Sequence, residues 1–235
     1  MSVAYRAIVP AAGIGSRMRA DQPKQYLPLF DRTVLEQTLD RLLALPFIEC
    51  IVVVISESDR NWETLAVRSN SRIVTVKGGA ERSHSVLKAL DYLAPLSEKE
   101  DWVLVHDAAR PCVRTADVLQ LKTILAEDPI GGILAAPVRD TMKRATEGRI
   151  QTTVERAHLW HALTPQMFRF NLLYQALKAA ISKQLPVTDE SSALELAGYH
   201  PRIIEGQQDN IKITHPGDLQ LAELYLQQQT QQETG

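Results

Sequence analysis

Five short runs rich in small and β-branched apolar residues, Ala7–Val9, Ile51–Ile55, Ile73–Val76, Trp102–Val105 and Gly132–Ala136, recur through the first part of this chain. Apart from Thr75, every residue in these runs is apolar instead of alternating with polar ones, which is the pattern of strands buried on both faces. Between them lie amphipathic stretches: Val34–Leu45, Glu81–Leu93 with Val86, Leu90 and Leu93 on one side, and Ala116–Glu127. Strand and helix in alternation imply a parallel sheet joined by right-handed crossovers. The expected class is α/β, a Rossmann-like and mostly parallel sheet with helices on both faces.

The pattern changes at Val138. Residues 138–145 and 150–155 read as two strands around a glycine-containing turn. Such a ribbon is too polar and too short to be stable alone, so the 138–156 hairpin needs a surface to pack on, and a second subunit is the natural one. Helical periodicity returns at Phe170–Lys183 and Glu190–Leu196, followed by a short strand at Arg202–Glu205 and a helix at Pro216–Leu226 with Leu219, Ala222 and Leu226 on one side. Gln227–Gly235 is glutamine-rich and lacks apolar anchors, so it is expected to fray. The whole length, 235 residues, suits one domain.

Composition narrows the partners. A net charge of −2 with 23% charged residues lacks the positive excess of a nucleic-acid-binding chain, so any anion site must be built locally. No apolar run approaches the roughly 18 residues of a membrane span, and the N-terminus has no secretory h-region. Cys50 and Cys112 lie in or beside apolar runs without metal-ligand spacing and read as buried free thiols. The expected setting is the cytoplasm.

The first strand runs into Pro10-Ala11-Ala12-Gly13-Ile14-Gly15-Ser16-Arg17-Met18. Glycine-rich backbone after a strand places a phosphate or a base at the carboxyl edge of a sheet. The dinucleotide fingerprint matches at Gly13 and Gly15 but fails at Met18, and the Walker pattern is absent. What remains is a loop, Pro10 to Gly13, bare enough for a base or ribose to approach the main chain, with Arg17 and Lys24 able to converge on polyphosphate. Two permanent cations there suit phosphoryl or nucleotidyl transfer. A plain strand–turn–helix connection with two solvated cations is the competing reading.

Other segments carry weaker signals. Gly78–Ser85 follows a strand and opens a helix, offering backbone groups and the Ser85 hydroxyl to a base edge. Asp107, just past an apolar strand, can hold Mg²⁺ or a substrate hydroxyl, and Arg110 can bind phosphate or neutralise Asp107. His106 reads as a satisfied, partly buried histidine. Thr164-Pro165-Gln166 reads as a turn before a helix, and Thr188–Ser191 as a helix start. Asp209 is either a second metal ligand or a turn residue. Tyr174 and Lys178 have the spacing of a dehydrogenase acid–base pair but fit an amphipathic surface helix.

"PAAGIGSRM", "PKQYL", "GGAERSHSV", "VLVHDAARP", "APVRDTMKR", "LTPQ", "TDESSALE" and "DNIKIT", in that order, resemble the cytidylyltransferase family of the non-mevalonate isoprenoid pathway, over about Ala7 to Leu226. The resemblance implies a nucleotidyltransferase-type fold with a protruding hairpin arm. It implies transfer from CTP to 2-C-methyl-D-erythritol 4-phosphate with Mg²⁺ or another divalent cation. It assigns the nucleotide to Pro10, Ala11, Ala12, Gly13 and Gly15, with Gly79 and Ser85 on cytosine; Ala80 departs from the aspartate of many relatives. Arg17 and Lys24 would stabilise the α-phosphate. Lys212, with Arg156 from a partner's arm, would position the attacking phosphate; Thr141 of the same arm would help bind methylerythritol phosphate in the neighbour's site, where Asp107, Arg110 and Thr164 would complete the second-substrate site. The arm would make the protein a homodimer. A cytidylyltransferase acting on another polyol phosphate, such as ribitol 5-phosphate, is the nearest rival. An NAD-dependent oxidoreductase would need the missing third glycine, and a silent nucleotide-binding module would not need both Lys24 and Lys212.

Overall fold

A computed structural model describes residues 3–13 and 22–234; Gly15, Arg17 and Met18 lie outside the described residues. In chain order the elements are β1 (Tyr5–Pro10), β2 (Pro28–Leu29), β3 (Arg32–Thr33), α1 (Val34–Leu43), β4 (Ile48–Ile55), β5 (Ile73–Lys77), α2 (Arg82–Leu93), β6 (Trp102–Val105) and α3 (Thr115–Leu125). They continue with β7 (Gly131–Pro137), β8 (Met142–Thr146), β9 (Arg149–Val154), β10 (Trp160–Arg169), α4 (Phe170–Ser182), α5 (Glu190–Leu196), β11 (Arg202–Glu205) and α6 (Pro216–Thr234).

Seven strands form one sheet in the order β11-β7-β10-β6-β1-β4-β5. Its pairings are parallel except at β10, which runs antiparallel between β6 and β7. The continuous apolar runs of the central strands have a direct cause, since both faces of the sheet there are covered; β5, expected to be buried, is instead an edge strand whose residues after Ile73 are half-buried or exposed. Ala7, Val9, Ile51, Val53 and Leu104 face the α1 and α3 side, with Leu35, Leu39 and Leu121. Ile8, Val52, Val54, Val103 and Val105 face the opposite side, with Val86 and Leu90 of α2, Leu173 of α4 and Leu194 of α5.

The expected α/β class is the observed one, but two local expectations are corrected. Thr164-Pro165-Gln166 is no turn: it lies inside β10, where the register against β7 shifts between Ala162 and Gln166. The segment Gln227–Thr234 continues α6 as helix. Gln229 is buried, and its Nε2 donates to the Cys112 carbonyl at 2.9 Å and to Asp209 Oδ2 at 3.1 Å. A polar side chain thus takes the next inward position after Ala222 and Leu226, which pack on Leu29, Val34 and Ile213.

The hairpin is present as β8 and β9, paired only with each other and exposed along nearly its whole length. Its two-residue loop, Glu147-Gly148, has positive φ at both positions, the hairpin turn that matches strand twist. Both cysteines are free thiols, Cys112 buried and Cys50 half-buried. Among the described residues no helix is long and apolar enough to cross a membrane.

Candidate active site

The site is built at the carboxyl ends of β1, β4, β5 and β6. After β1 the backbone stays close to the sheet, with Ala11 N–H donating to the Val54 carbonyl at 2.7 Å. The buried amide of Gln25 holds the loop's shape, donating to the carbonyls of Ala11 at 2.6 Å and Gly13 at 3.0 Å. That leaves Pro10 to Gly13 lining a cleft. Lys24, one residue before Gln25, reaches the same cleft and donates to the Ile213 carbonyl at 2.6 Å.

The second small-residue loop follows β5. Gly78 N–H donates to the Ile55 carbonyl, and Gly79 N–H donates to Ser85 Oγ, which in turn donates to the Glu81 carbonyl. A Cβ on Gly78 would come within 2.7 Å of the Ala12 Cβ and 2.9 Å of Ser85 Oγ, so only glycine allows the two loops to touch. Ser85 therefore shapes the loop in addition to facing the cleft.

At the end of β6, His106 is fully buried; its Nε2 meets the Arg110 carbonyl at 3.0 Å and its Nδ1 meets Thr164 Oγ1 at 2.9 Å. A carbonyl only accepts, so Nε2 carries the proton, and a neutral ring then accepts the Thr164 O–H at Nδ1. Burial, the largest effect, pushes the His106 pKa down to about 4 and keeps the ring neutral. Thr164 Oγ1 also accepts the Asp107 N–H at 3.1 Å, which ties β10 to the strand end that carries Asp107.

Asp107 meets three cations. Arg82 Nε lies 3.2 Å from its Oδ1, while Lys212 Nζ at 2.9 Å and Arg110 Nε at 3.3 Å share Oδ2. Burial alone would raise its pKa, but the charges of Arg82, Lys212 and Arg110 hold the carboxyl well below the usual carboxylate range. Arg82 also forks onto Glu190, with Nη1–Oε1 at 2.7 Å and Nη2–Oε2 at 3.0 Å. Counting Asp107 and Glu190 against Arg82, Arg110 and Lys212, this cluster carries one net positive charge, and Lys24 adds another nearby.

Two chambers result. The first, about 250 Å³, is lined by Pro10–Gly13, Lys24, Gly79, Ser85 and Asp107. The second, about 200 Å³, is lined by Arg110, Leu163, Thr164, Gln166, Thr188 and Asp189. Arg82, Asp107 and Lys212 line both.

Most of the residues expected from the sequence therefore converge here. Gly15 and Arg17 lie outside the described residues. Thr141 and Arg156 belong to the exposed hairpin region and do not line this chain's chambers; Arg156 Nη1 donates to the Arg139 carbonyl at 2.5 Å. Asp209 is also elsewhere: its Oδ2 accepts from Arg114, at 3.0 Å from Nε, and from Gln229, and it borders a separate surface cleft. It lines neither of the two chambers. Sequence reasoning missed Arg82, Gln25 and Glu190. Arg82 sat inside a motif read for its glycines and serine, and Glu190 inside one read as a helix start.

A Rossmann-like sheet with a bare loop at its carboxyl edge, beside a second chamber and a shared cationic wall, has the layout a nucleotidyltransferase needs. The chain belongs to the 2-C-methyl-D-erythritol 4-phosphate cytidylyltransferase (IspD) family, whose model matches residues 5–228. It is 54% identical to the enzyme of that name from Aliivibrio fischeri (strain MJ11) over 222 residues, covering 94% of this chain and 93% of the relative. The Vibrio cholerae serotype O1 enzyme of the same name is 54% identical over 221 residues, covering 94% and 95%. The crystal structure of the Francisella tularensis 2-C-methyl-D-erythritol 4-phosphate cytidylyltransferase superposes with a TM-score of 0.83 at 37% identity, covering 95% of this chain and all of that one.

Proposed function

We propose that this protein transfers the cytidylyl group of CTP to 2-C-methyl-D-erythritol 4-phosphate, releasing pyrophosphate and forming 4-diphosphocytidyl-2-C-methyl-D-erythritol. The observation that carries this reading is the shared wall. A nucleotide in the first chamber and a polyol phosphate in the second would meet at Arg82, Asp107 and Lys212.

The chemistry needs little from a base. A phosphate monoester is largely dianionic at neutral pH, so its oxygen can attack the α-phosphorus of CTP directly, forming the new P–O bond as the bond to pyrophosphate breaks. The protein's task is to suppress repulsion between two anions and to stabilise charge on the five-coordinate phosphorus. Lys24 and Arg17 would face the triphosphate; Lys212 would hold the attacking phosphate in line. Thr164 and Arg110 border the chamber proposed for the polyol. Gly79 and Ser85 border the one proposed for the base.

A divalent cation is part of the proposal. Among the described residues no group of three potential ligands is gathered, so the donor set does not suit a cage made by protein alone. It does suit Mg²⁺ carried on the triphosphate, which habitually keeps few protein ligands; Asp107, the buried carboxylate that faces the nucleotide chamber, would have to exchange one of its contacts to Arg82, Arg110 or Lys212 for the metal. When bound, Mg²⁺ would neutralise triphosphate charge and favour pyrophosphate departure.

The hairpin gives the proposal its second subunit. An exposed ribbon carrying Thr141 and Arg156 at its base, away from its own chambers, is suited to reach the site of another copy. We place the enzyme in the cytoplasm, in keeping with its two free thiols.

The test is pyrophosphate release by purified protein with CTP and methylerythritol phosphate, with and without Mg²⁺, beside ribitol 5-phosphate. Release with methylerythritol phosphate, at least tenfold faster than with ribitol 5-phosphate, is expected. Equal rates or a preference for ribitol 5-phosphate would overturn the substrate assignment.

A further inference from the structure

Glu190 is 1% exposed, and the carboxylate of such a residue is costly to bury unless it is matched. Burial raises its pKa, and Arg82 offsets part of that effect. Its match is the fork of Arg82, which engages both oxygens. A buried ion pair is weak evidence of stabilisation, because apolar replacements of similar shape are often as stable. The geometry gives this pair a different use.

A guanidinium is planar, so two bonds to Glu190 fix both its place and its plane. The third donor, Nε, then points at Asp107 Oδ1 from a set direction. With Oδ1 occupied, Oδ2 is the oxygen left to Lys212 and Arg110. Glu190 itself stands on a rigid mount. It is the first residue of α5, after the cap Asp189, whose side chain accepts the Ser192 N–H and the Gln166 amide. The next residue, Ser191, donates its N–H to Gln166 Oε1, and Gln166 is a buried residue of β10. A line of directed contacts thus runs from the sheet through Gln166, α5, Glu190 and Arg82 to the Asp107 carboxylate.

Resting on the transferase reading above, we propose that Glu190 and Arg82 form a positioning pair that orients Asp107, and through it the Lys212 ammonium, at the wall between the two chambers. Phosphates entering either chamber attract Arg82, whose side chain is 29% exposed there. The carboxylate behind it keeps the guanidinium in place, so Lys212 remains the cation that moves to the attacking phosphate.

The full-length protein tests this with Glu190→Gln, Arg82→Lys and the double variant. Glu190→Gln keeps the size and removes the charge; Arg82→Lys keeps the charge and removes the fork. Each is expected to lower kcat at least tenfold while the KM for CTP stays within threefold. The double variant should be no worse than the poorer single, since one device is lost once. A kcat within threefold of wild type for Glu190→Gln, or multiplied losses in the double variant, would overturn the pair's role. A crystal structure of Glu190→Gln reads the same proposal without turnover. Loss of the Lys212–Asp107 contact supports it, and retention of that contact at 2.9 Å overturns it. If wild-type protein releases no pyrophosphate, the transferase reading fails, and the crystal structure still decides the pair.

Discussion

The ammonium of Lys24 donates to the carbonyl of Ile213 across 189 residues of sequence, at 2.6 Å. One end of the chain thereby supplies the cation of the nucleotide loop, and the segment that carries Lys212 holds it in place. The two lysines assigned to the two substrates are anchored to a common stretch, Lys212-Ile213.

Replacing Lys24 should therefore cost more than one charge. Lys24→Ala is expected to lower kcat at least about 100-fold, the usual scale for losing a preorganised group that faces developing charge. Steady-state pyrophosphate release measures it, with Arg17→Ala in parallel. A rate within threefold of wild type would contradict the assigned role on the α-phosphate.

The neutrality of His106 has a signature in stability. Its pKa in the fold, about 4, lies below the ordinary 6.5. Between those values the unfolded chain binds a proton that the fold excludes, so stability falls as pH drops from 6.5 toward 4. The full effect is roughly 3 kcal/mol at 1.36 kcal/mol per unit of pKa shift. Glu190, whose pKa is raised, acts in the opposite direction, but it does so in wild type and in His106→Gln alike. The difference in unfolding free energy between these proteins isolates His106. Denaturant titrations at pH 7.5 and 4.5 should show wild type losing roughly 2–3 kcal/mol relative to the variant. An equal difference at both pH values would mean that the ring takes up its proton as readily in the fold as in the unfolded chain.

An arm that serves a second copy predicts complementation. Arg156→Ala and Lys24→Ala homodimers should each be nearly inactive. Mixed under exchange, they form heterodimers in which one site has both an intact Lys24 and an intact arm. Random pairing gives about one quarter of wild-type activity. No recovery, with subunit exchange verified by mass, would count against an arm acting between subunits.

The parallel part of the sheet could be read from the sequence because its strands are buried on both sides. Ile51 to Ile55 is apolar throughout since alternate residues enter different cores. β10 escaped notice for the opposite reason. Its first residues, Trp160 to Ala162, are exposed, and Thr164-Pro165 interrupts the apolar run with the composition of a turn. Gln229 shows a related blind spot: an inward helix position can hold an amide when buried carbonyls and carboxylates await it, and hydrophobic spacing cannot register that. Several cleft-lining residues, such as Gly13, Lys24, Gly79 and Lys212, could be picked out because each stood in a motif read for that residue type. Arg82 and Glu190 could not, because their pairing spans 108 residues and only the folded sheet brings them together.

The antiparallel strand of the seven-stranded sheet, β10, also sets a timetable for the chain as it is made. β6 is complete at Val105, but the strand that must lie beside it begins at Trp160. At roughly 5–20 residues per second, several seconds of synthesis separate the two, during which one edge of β6 has no neighbour. An exposed apolar edge is a template for the wrong partner. The nascent protein must keep a slot open in the middle of its sheet, and the segment that closes the slot also delivers Thr164 and Gln166 to the chambers. The last central strand to be made joins the two halves of the sheet, and β11 and Lys212, which follow it, finish the edge and the shared wall.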